Sequence, residues 1–271
     1  MPSTLAGLFG SLPRPVQRPL RAGWYELLSL LDHSVHMTFM NYGWASLAPA
    51  AQPLTLQPKD EPNRYCIQLY HRVASAIDLR GLDVLEIGCG RGGGASYVKR
   101  YLHPRSLTGL DLTFRAVAFC KRHYAAIPGL VFVRGRAEAP QFGDETFDAV
   151  LNVESSHCYA DMPRFLASVR RVLKPGGHFL FADFRAREEV DTLRRRLQDA
   201  GLNLLAEENI SANVVRALEM DNTRKQELID RRVPKALRGL FDEFAGMQGT
   251  HSAYASLRRG DKLYLRYVLQ K

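Results

Sequence analysis

From residue 82 onward, short apolar runs alternate with stretches whose apolar positions recur three and four residues apart. The runs predict β-strands over 82–87, 106–111, 129–134, 147–153 and 177–183. The stretches between them predict amphipathic helices over 93–102, 114–124, 162–173 and 187–200. Strands and helices in strict alternation imply a parallel sheet covered by helices on both faces, because parallel neighbours need a crossover between them. Gly176-Gly177, after Lys174-Pro175, reads as a tight turn into the fifth strand. The pattern changes after residue 203. Strands are predicted at 203–210 and 262–269, but about 211–258 between them is helical and charged. A last strand without a short crossover is expected to enter antiparallel, with the stretch before it capping the sheet's carboxyl edge. The expected fold is α/β. It is a doubly wound, mostly parallel seven-stranded sheet with an antiparallel last strand, an N-terminal helical lid and a helical cap inserted before that strand.

Residues 1–64 lie outside the alternation and are read as a basic arm and lid, leaving 65–271 as the main domain. One helical pattern runs from Trp24 to about Val35, followed by a connector with Pro49, Pro53, Pro58 and Pro62. A further helix is expected over 65–79. The first 24 residues contain no Asp or Glu, and they mix Arg14, Arg18 and Arg21 with Leu8, Phe9, Leu12 and Trp24. A short surface-seeking segment has this composition, so peripheral membrane contact is one expectation for it. No apolar run is long enough for a spanning helix.

Charge changes the picture only in part. A net charge of +9 and a pI near 9.5 are compatible with nucleic acid or anionic surfaces. The arginines cluster at Arg185, Arg187 and Arg194–Arg196 without interleaved aromatics, so solvated helix faces are the expected reading and no nucleic-acid partner is expected. The cysteines at 66, 89, 120 and 158 form no CxxC pair, which argues against a disulfide framework or zinc site and for a reducing, cytoplasmic setting.

The chemistry concentrates at the carboxyl ends of the predicted strands, where a doubly wound sheet binds its ligand. Val84-Leu85-Glu86-Ile87 opens into Gly88, Cys89, Gly90, Arg91 and Gly92. Glycine lets backbone approach a ligand closely and turn with positive φ. The carboxylate ahead of the loop repels a pyrophosphate and attracts an ammonium. A ligand with a cationic amino-acid end and an adenosine end fits, and S-adenosylmethionine is one. Asp111, followed by Leu112, ends the second strand and can accept both ribose hydroxyls, a role a NAD site would share. Arg136, Ala137 and Glu138 follow the third strand and can surround an adenine edge. Asn152 and Val153 lead into the loop after the fourth strand, which would face the methyl group and its acceptor.

These segments resemble class I S-adenosylmethionine-dependent methyltransferases in Glu86-x-Gly-x-Gly, Asp111, Phe147-Asp148-Ala149-Val150 and Leu173-Lys174-Pro175-Gly176-Gly177. Within that class the chain is similar to the mycobacterial phthiotriol and phenolphthiotriol dimycocerosate methyltransferases. That similarity rests on Asp60–Arg64, Leu69–Arg72, Gly92–Tyr97, Leu151–Glu154, Ser156–Tyr159 and Gln248-Gly249-Thr250, and runs from about residue 40 to the C-terminus. It implies S-adenosylmethionine as methyl donor and a hydroxyl of a long lipid as acceptor. Arg136 departs from the family, which carries Asp after the glycine at the third strand, so Glu138 or the Ala137 backbone would meet adenine instead.

Displacement from a sulfonium needs positioning above all, and an aliphatic hydroxyl must lose its proton as the bond forms. His157 is the candidate base, as in related small-molecule O-methyltransferases, and Asp183, ending the fifth strand, the residue that orients it. Two such ligands fall short of a metal site, and none is expected. Tyr42 and Trp44 are expected in an aromatic lid over the cofactor, with Trp44, Tyr65, Tyr70, Met220, Phe244 and Met247 around an apolar small-molecule acceptor. C-methylation of an apolar natural product is the alternative, and an RNA substrate a more distant one. The loop Asn152-Val153-Glu154-Ser155 is not the Pro-Pro-aromatic type that goes with base amino groups. Oligomeric state is not readable from the chain.

Overall fold

The computed structural model describes residues 37–48, 52–235, 238–247 and 253–271. The helix expected from Trp24 to Val35, the basic arm before it and Gln248-Gly249-Thr250 lie outside the described residues.

Seven strands form one sheet: β1 (Asp83–Ile87), β2 (Ser106–Asp111), β3 (Leu130–Arg134), β4 (Phe147–Val153), β5 (Leu173–Ala186), β6 (Asn203–Asn209) and β7 (Lys262–Gln270). Their spatial order is β3-β2-β1-β4-β5-β7-β6. β1 to β5 pair in parallel, while β7 runs antiparallel to both β5 and β6, as the sequence pattern implied. The helices are α1 (Arg64–Ala74), α2 (Gly93–Tyr101), α3 (Phe114–His123), α4 (Met162–Val172), α5 (Val190–Asp199), α6 (Ser211–Arg232), α7 (Arg238–Phe244) and α8 (Ala253–Arg259).

Side-chain alternation along each strand sorts the core into two layers. Val84, Ala149, Leu151, Leu180, Tyr264 and Val268 pack with α1, α2, α3 and the cap helices α6 and α8 on one face. Leu85, Ile87, Val150, Phe179, Phe181 and Leu269 pack with α4 and α5 on the other. The chain begins in mid-sheet, winds outward to β3 and returns to β4 beside β1. The strand order therefore reverses between β1 and β4, and a crevice opens at their carboxyl ends.

Two details differ from the sequence reading. β5 starts at Leu173 rather than 177. Gly176 (φ +75) makes an irregularity inside the strand instead of a turn before it, and the register with β4 shifts between Phe147 and Ala149. The stretch expected as one helix over 187–200 is a short 3₁₀ turn followed by α5. Two arginines of the basic cluster are paired with acids, Arg194 with Asp191 and Glu207 and Arg185 with Asp183, and further along Arg238 pairs with Asp230. Among the described residues no helix is long and apolar enough to cross a membrane.

Residues 37–48 lie across the crevice as extended chain. The amide of Trp44 donates to Tyr65 O, that of Ala45 to Asn213 O and that of Gly93 to Thr38 O. They tie the segment to α1, α6 and the start of α2.

Close packing of α2 on α1 depends on Gly94. A Cβ there would fall inside the ring of Tyr70, whose hydroxyl is fixed on Glu86 at 2.7 Å. Alanine in a helix normally gains up to ~1 kcal/mol over glycine, but overpacking of a fixed ring costs about 1–3 kcal/mol. Gly94→Ala is therefore expected to lower stability by about 2 kcal/mol in urea melts, and a neutral or stabilising result would mean that Tyr70 moves freely.

Candidate active site

The crevice at the switch point is a cavity of about 350 Å³. Its glycine loop turns through Gly88 (φ +77), Gly90 (φ +52) and Gly92 (φ +74), conformations that side-chain-bearing residues rarely adopt. At Gly88 a Cβ would collide with Ser155 and come within 2.7 Å of the Tyr159 hydroxyl, so the loop lies directly on the β4 loop.

Of the residues expected at the cofactor, Gly88, Cys89, Gly90, Asp111, Leu112, Arg136, Ala137, Glu138 and Val153 line this cavity, as does Tyr70 from the acceptor set. Asp111 also braces it: Oδ2 accepts the Gly90 amide at 2.9 Å and Oδ1 the Thr113 amide at 2.8 Å. Leu112 is 50% exposed, an apolar surface at the rim. Glu138 Oε1 accepts the Ala160 amide at 3.1 Å. Asn152 is buried behind the wall, where Nδ2 donates to Ile87 O, Ser155 Oγ and Tyr159 Oη. Gly92 caps α2 and lies outside the lining.

Glu86 is fully buried beneath the loop. Tyr70 donates to its Oε1, and Oε2 has no partner. Burial pushes its carboxyl up to about 7 against the Tyr70 hydrogen bond, and the charge of Asp111 adds to the rise. A buried acid with one unsatisfied oxygen is what a cationic ammonium group would complete, so the residues present fit the amino-acid end of S-adenosylmethionine.

His157, partly exposed, pairs with the buried Asp183. His157 Nδ1 lies 2.9 Å from Asp183 Oδ1, and the His157 amide donates to Oδ2 at 2.9 Å. The Ser156 hydroxyl donates to the same Oδ2 at 2.6 Å, and Arg185 Nη1 stands 3.2 Å from it. The His157 ring lies against Phe184 with centroids 4.3 Å apart, and Phe184 stacks on Tyr42 at 5.6 Å. Burial alone would lower the His157 pKa, but Cys158 and Asp183 outweigh it and hold the imidazole well above its ordinary value. Burial alone would raise Asp183; His157 and Arg185 keep it well below the usual carboxylate range. His157 does not itself line the large cavity, whereas its neighbour Cys158 does.

Glu154 was not singled out from the sequence, and it occupies the centre of the site. It lines the cavity, adopts φ +51, and its Oε2 accepts the Tyr42 amide and the Tyr264 hydroxyl, both at 2.9 Å. Left-handed backbone at a non-glycine residue marks a strained, over-determined position. Burial pushes Glu154 up to about 8 against those hydrogen bonds and the charge of His157. The signal was present: Glu154 follows β4 directly, as Glu86 and Asp111 sit at the ends of β1 and β2; Asp183, expected to end the fifth strand, lies inside β5, which continues to Ala186.

Tyr42, expected at the cofactor, and the other expected acceptor residues are dispersed. Tyr42 borders a second cavity. Trp44 and Tyr65 line neither cavity and pack where the 37–48 segment meets α1. Met220 is 49% exposed on α6, Met247 is buried in a small cap cluster with Ile229, Val233 and Phe241, and Phe244 ends α7.

A glycine loop after an acid-bearing first strand, a second acid on the next strand and a seven-stranded sheet with one antiparallel strand together define an S-adenosylmethionine-dependent methyltransferase. Residues 85–181 match the family described as "Methyltransferase domain". The phthiotriol/phenolphthiotriol dimycocerosates methyltransferase of Mycobacterium tuberculosis is 45% identical over 249 residues, covering 92% of this chain and 90% of the relative. The fatty-acid O-methyltransferase of Mycolicibacterium smegmatis is 43% identical over 91% of this chain and 87% of its own length. The chain belongs to the family of these mycobacterial methyltransferases. Among solved structures, the geranyl diphosphate C-methyltransferase of Streptomyces coelicolor superposes with a TM-score of 0.63 at 15% identity, covering 91% of this chain and 97% of that one. The cyclase SpnF superposes at 0.67 and 19% identity, covering 92% and 94%. A cyclase on the same scaffold shows that the fold alone does not fix the chemistry.

Proposed function

We propose that this methyltransferase acts on a hydroxyl oxygen of an apolar, lipid- or polyketide-type small molecule, with His157 as general base and Asp183 as the residue that positions it. The observation that carries the reading is the pairing of two features along the strand ends: the unsatisfied Glu86 oxygen under the glycine loop, and the His157–Asp183 pair beside the β4 loop. The names of the relatives support an acceptor of lipid type.

When bound, S-adenosylmethionine supplies an electrophilic methyl group on a sulfonium. The chain's own residues hold and orient it. Glu86, beneath the Gly88 to Gly90 loop, receives the amino-acid end, Asp111 the ribose, and Leu112, Arg136, Ala137 and Glu138 the adenine. Asn152 and Val153 keep the β4 loop in register with that end of the cavity. The segment over the crevice, held by Tyr42 and Trp44 and facing the cavity through Phe39, Met40 and Asn41, excludes water from the reacting centre. On the acceptor side, His157 takes the hydroxyl proton as the new bond forms, and Asp183 favours the resulting imidazolium. Glu154 fixes the covering segment through the Tyr42 amide and presents its carboxyl to the cavity. Residues 1–64 serve as arm and lid and 65–271 as the catalytic domain, with peripheral membrane contact through the basic N-terminus.

The test is incubation of the purified protein with methyl-labelled S-adenosylmethionine and, in parallel, a lipid extract or total RNA. The expected product is an alkali-stable methyl ether. Alkali-labile label would place the methyl on a carboxyl, label on carbon would favour the C-methyl alternative, and transfer to RNA would overturn the acceptor class.

A further inference from the structure

The second cavity, of about 140 Å³, shares Phe39, Met40 and Asn41 with the first, so a single stretch of chain walls both. Its far side is apolar and comes from the cap: Leu228, Ile229, Val233 and Phe241. At one place that apolar wall is interrupted by Arg224 and Lys225 of α6.

The charges there do not balance. Both oxygens of Asp221 are taken by Arg224, from Nε and Nη2 at 2.6 Å each. Lys225 Nζ stands 4.0 Å from Asp221 Oδ2, beyond hydrogen-bond reach, and its side chain is only 12% exposed. Among the described residues no other carboxylate comes within ion-pair distance of Lys225. Cys66 lines the same cavity, but burial pushes its thiol up to about 11 even with Lys225 pulling it down, so it supplies no negative charge at neutral pH. Two cations against one acid leave one positive charge largely withdrawn from water. That is costly unless an anion completes it. The first cavity shows no such excess: Arg91 and Arg136 line it together with Asp111, Glu138 and Glu154.

We infer that the second cavity binds a singly charged acidic group at the end of an apolar chain, so that the acceptor is an amphiphile with a neutral hydroxyl at its reacting end and an anion held by Lys225 and Arg224 at the other. This assignment rests on the acceptor reading above and narrows it from any apolar alcohol to an acidic one. The mouth of the cavity selects by charge, and Asn41 and Asn63 on the same lining can donate further hydrogen bonds to an oxyanion.

The experiment is calorimetric binding, without methyl donor, of 10-hydroxydecanoate, 1,10-decanediol and the methyl phosphodiester of decanediol to the full chain and to Lys225→Met and Lys225→Arg. The wild-type chain is expected to prefer the acid to the diol, and Lys225→Met to shrink that preference about tenfold, equivalent to about 1.4 kcal/mol. Lys225→Arg should restore most of it, which a merely structural role for Lys225 would not predict. Tighter binding of the phosphodiester than of the acid would support the site and name phosphate as its anion. Equal affinity of the wild-type chain for acid and diol, or an undiminished preference in Lys225→Met, would overturn the inference. Failure of every alcohol to accept a methyl group from the intact enzyme, with the acid still bound through Lys225, would sink the acceptor reading and leave this site standing.

Discussion

Glu86→Gln is expected to weaken S-adenosylmethionine binding by roughly 10- to 100-fold while the chain stays folded. A hydrogen bond to a charged group contributes about 1.5–3 kcal/mol, and glutamine keeps the shape, the Tyr70 contact and the burial but removes the charge. The pH dependence follows from the raised carboxyl. Burial holds Glu86 near 7 in the free protein, so at lower pH it is protonated and must release its proton to meet an ammonium group. Affinity of the wild-type protein is therefore expected to fall as pH drops below about 7 and to level off above it. In Glu86→Gln that slope should vanish. Calorimetry across pH 5.5 to 8.5 measures both quantities, and a glutamine variant that binds the donor as tightly as wild type would remove Glu86 from the site.

His157→Ala is expected to lower kcat by about 10²–10⁴, the range a positioned general base supplies, with donor affinity retained. The imidazole accepts a proton only in its neutral form, and Cys158 and Asp183 hold its pKa above the ordinary value despite burial. The wild-type rate should therefore climb with pH through and beyond neutrality. Asp183→Asn removes the charge that favours the imidazolium, so the rise should move to lower pH while the plateau drops. Unchanged turnover in His157→Ala would shift the assignment to Glu154, an acid that lines the cavity, and a pH-independent rate in the wild type would remove a titrating base from the mechanism.

Much of the architecture was legible because period-two and period-3.6 patterns report burial directly. β2 and β4 fall where the alternation put them, and the antiparallel β7 followed from the missing short crossover. β5 was misjudged at its start because Gly176-Gly177 signals a turn locally, while the pairing of Phe147 with Leu173 draws the chain into the sheet earlier. In the site, the acids at the ends of β1 and β2 were readable from position alone, and Asp183 was found although β5 runs on past it to Ala186. Glu154 has the same position after β4, but its distinguishing partners are remote: Tyr42 lies 112 residues before it and Tyr264 110 after it. No spacing rule connects residues so far apart. Met220 illustrates the opposite error. Its chemistry suits an apolar pocket, yet the face of α6 it occupies points to solvent, and only the packing of the cap decides that. The cation at Lys225 was likewise not legible, since the segment 211–258 reads only as helical and charged, and which of its charges line a cavity is decided by packing.

That extended segment has a kinetic consequence. Because Phe39, Met40 and Asn41 belong to the walls of both cavities, and one amide of the next residue latches the strip to Glu154, lifting it unroofs the two chambers together. With donor and acceptor held as proposed, departure of spent donor and escape of the methylated chain would become a single gated event, timed by that latch.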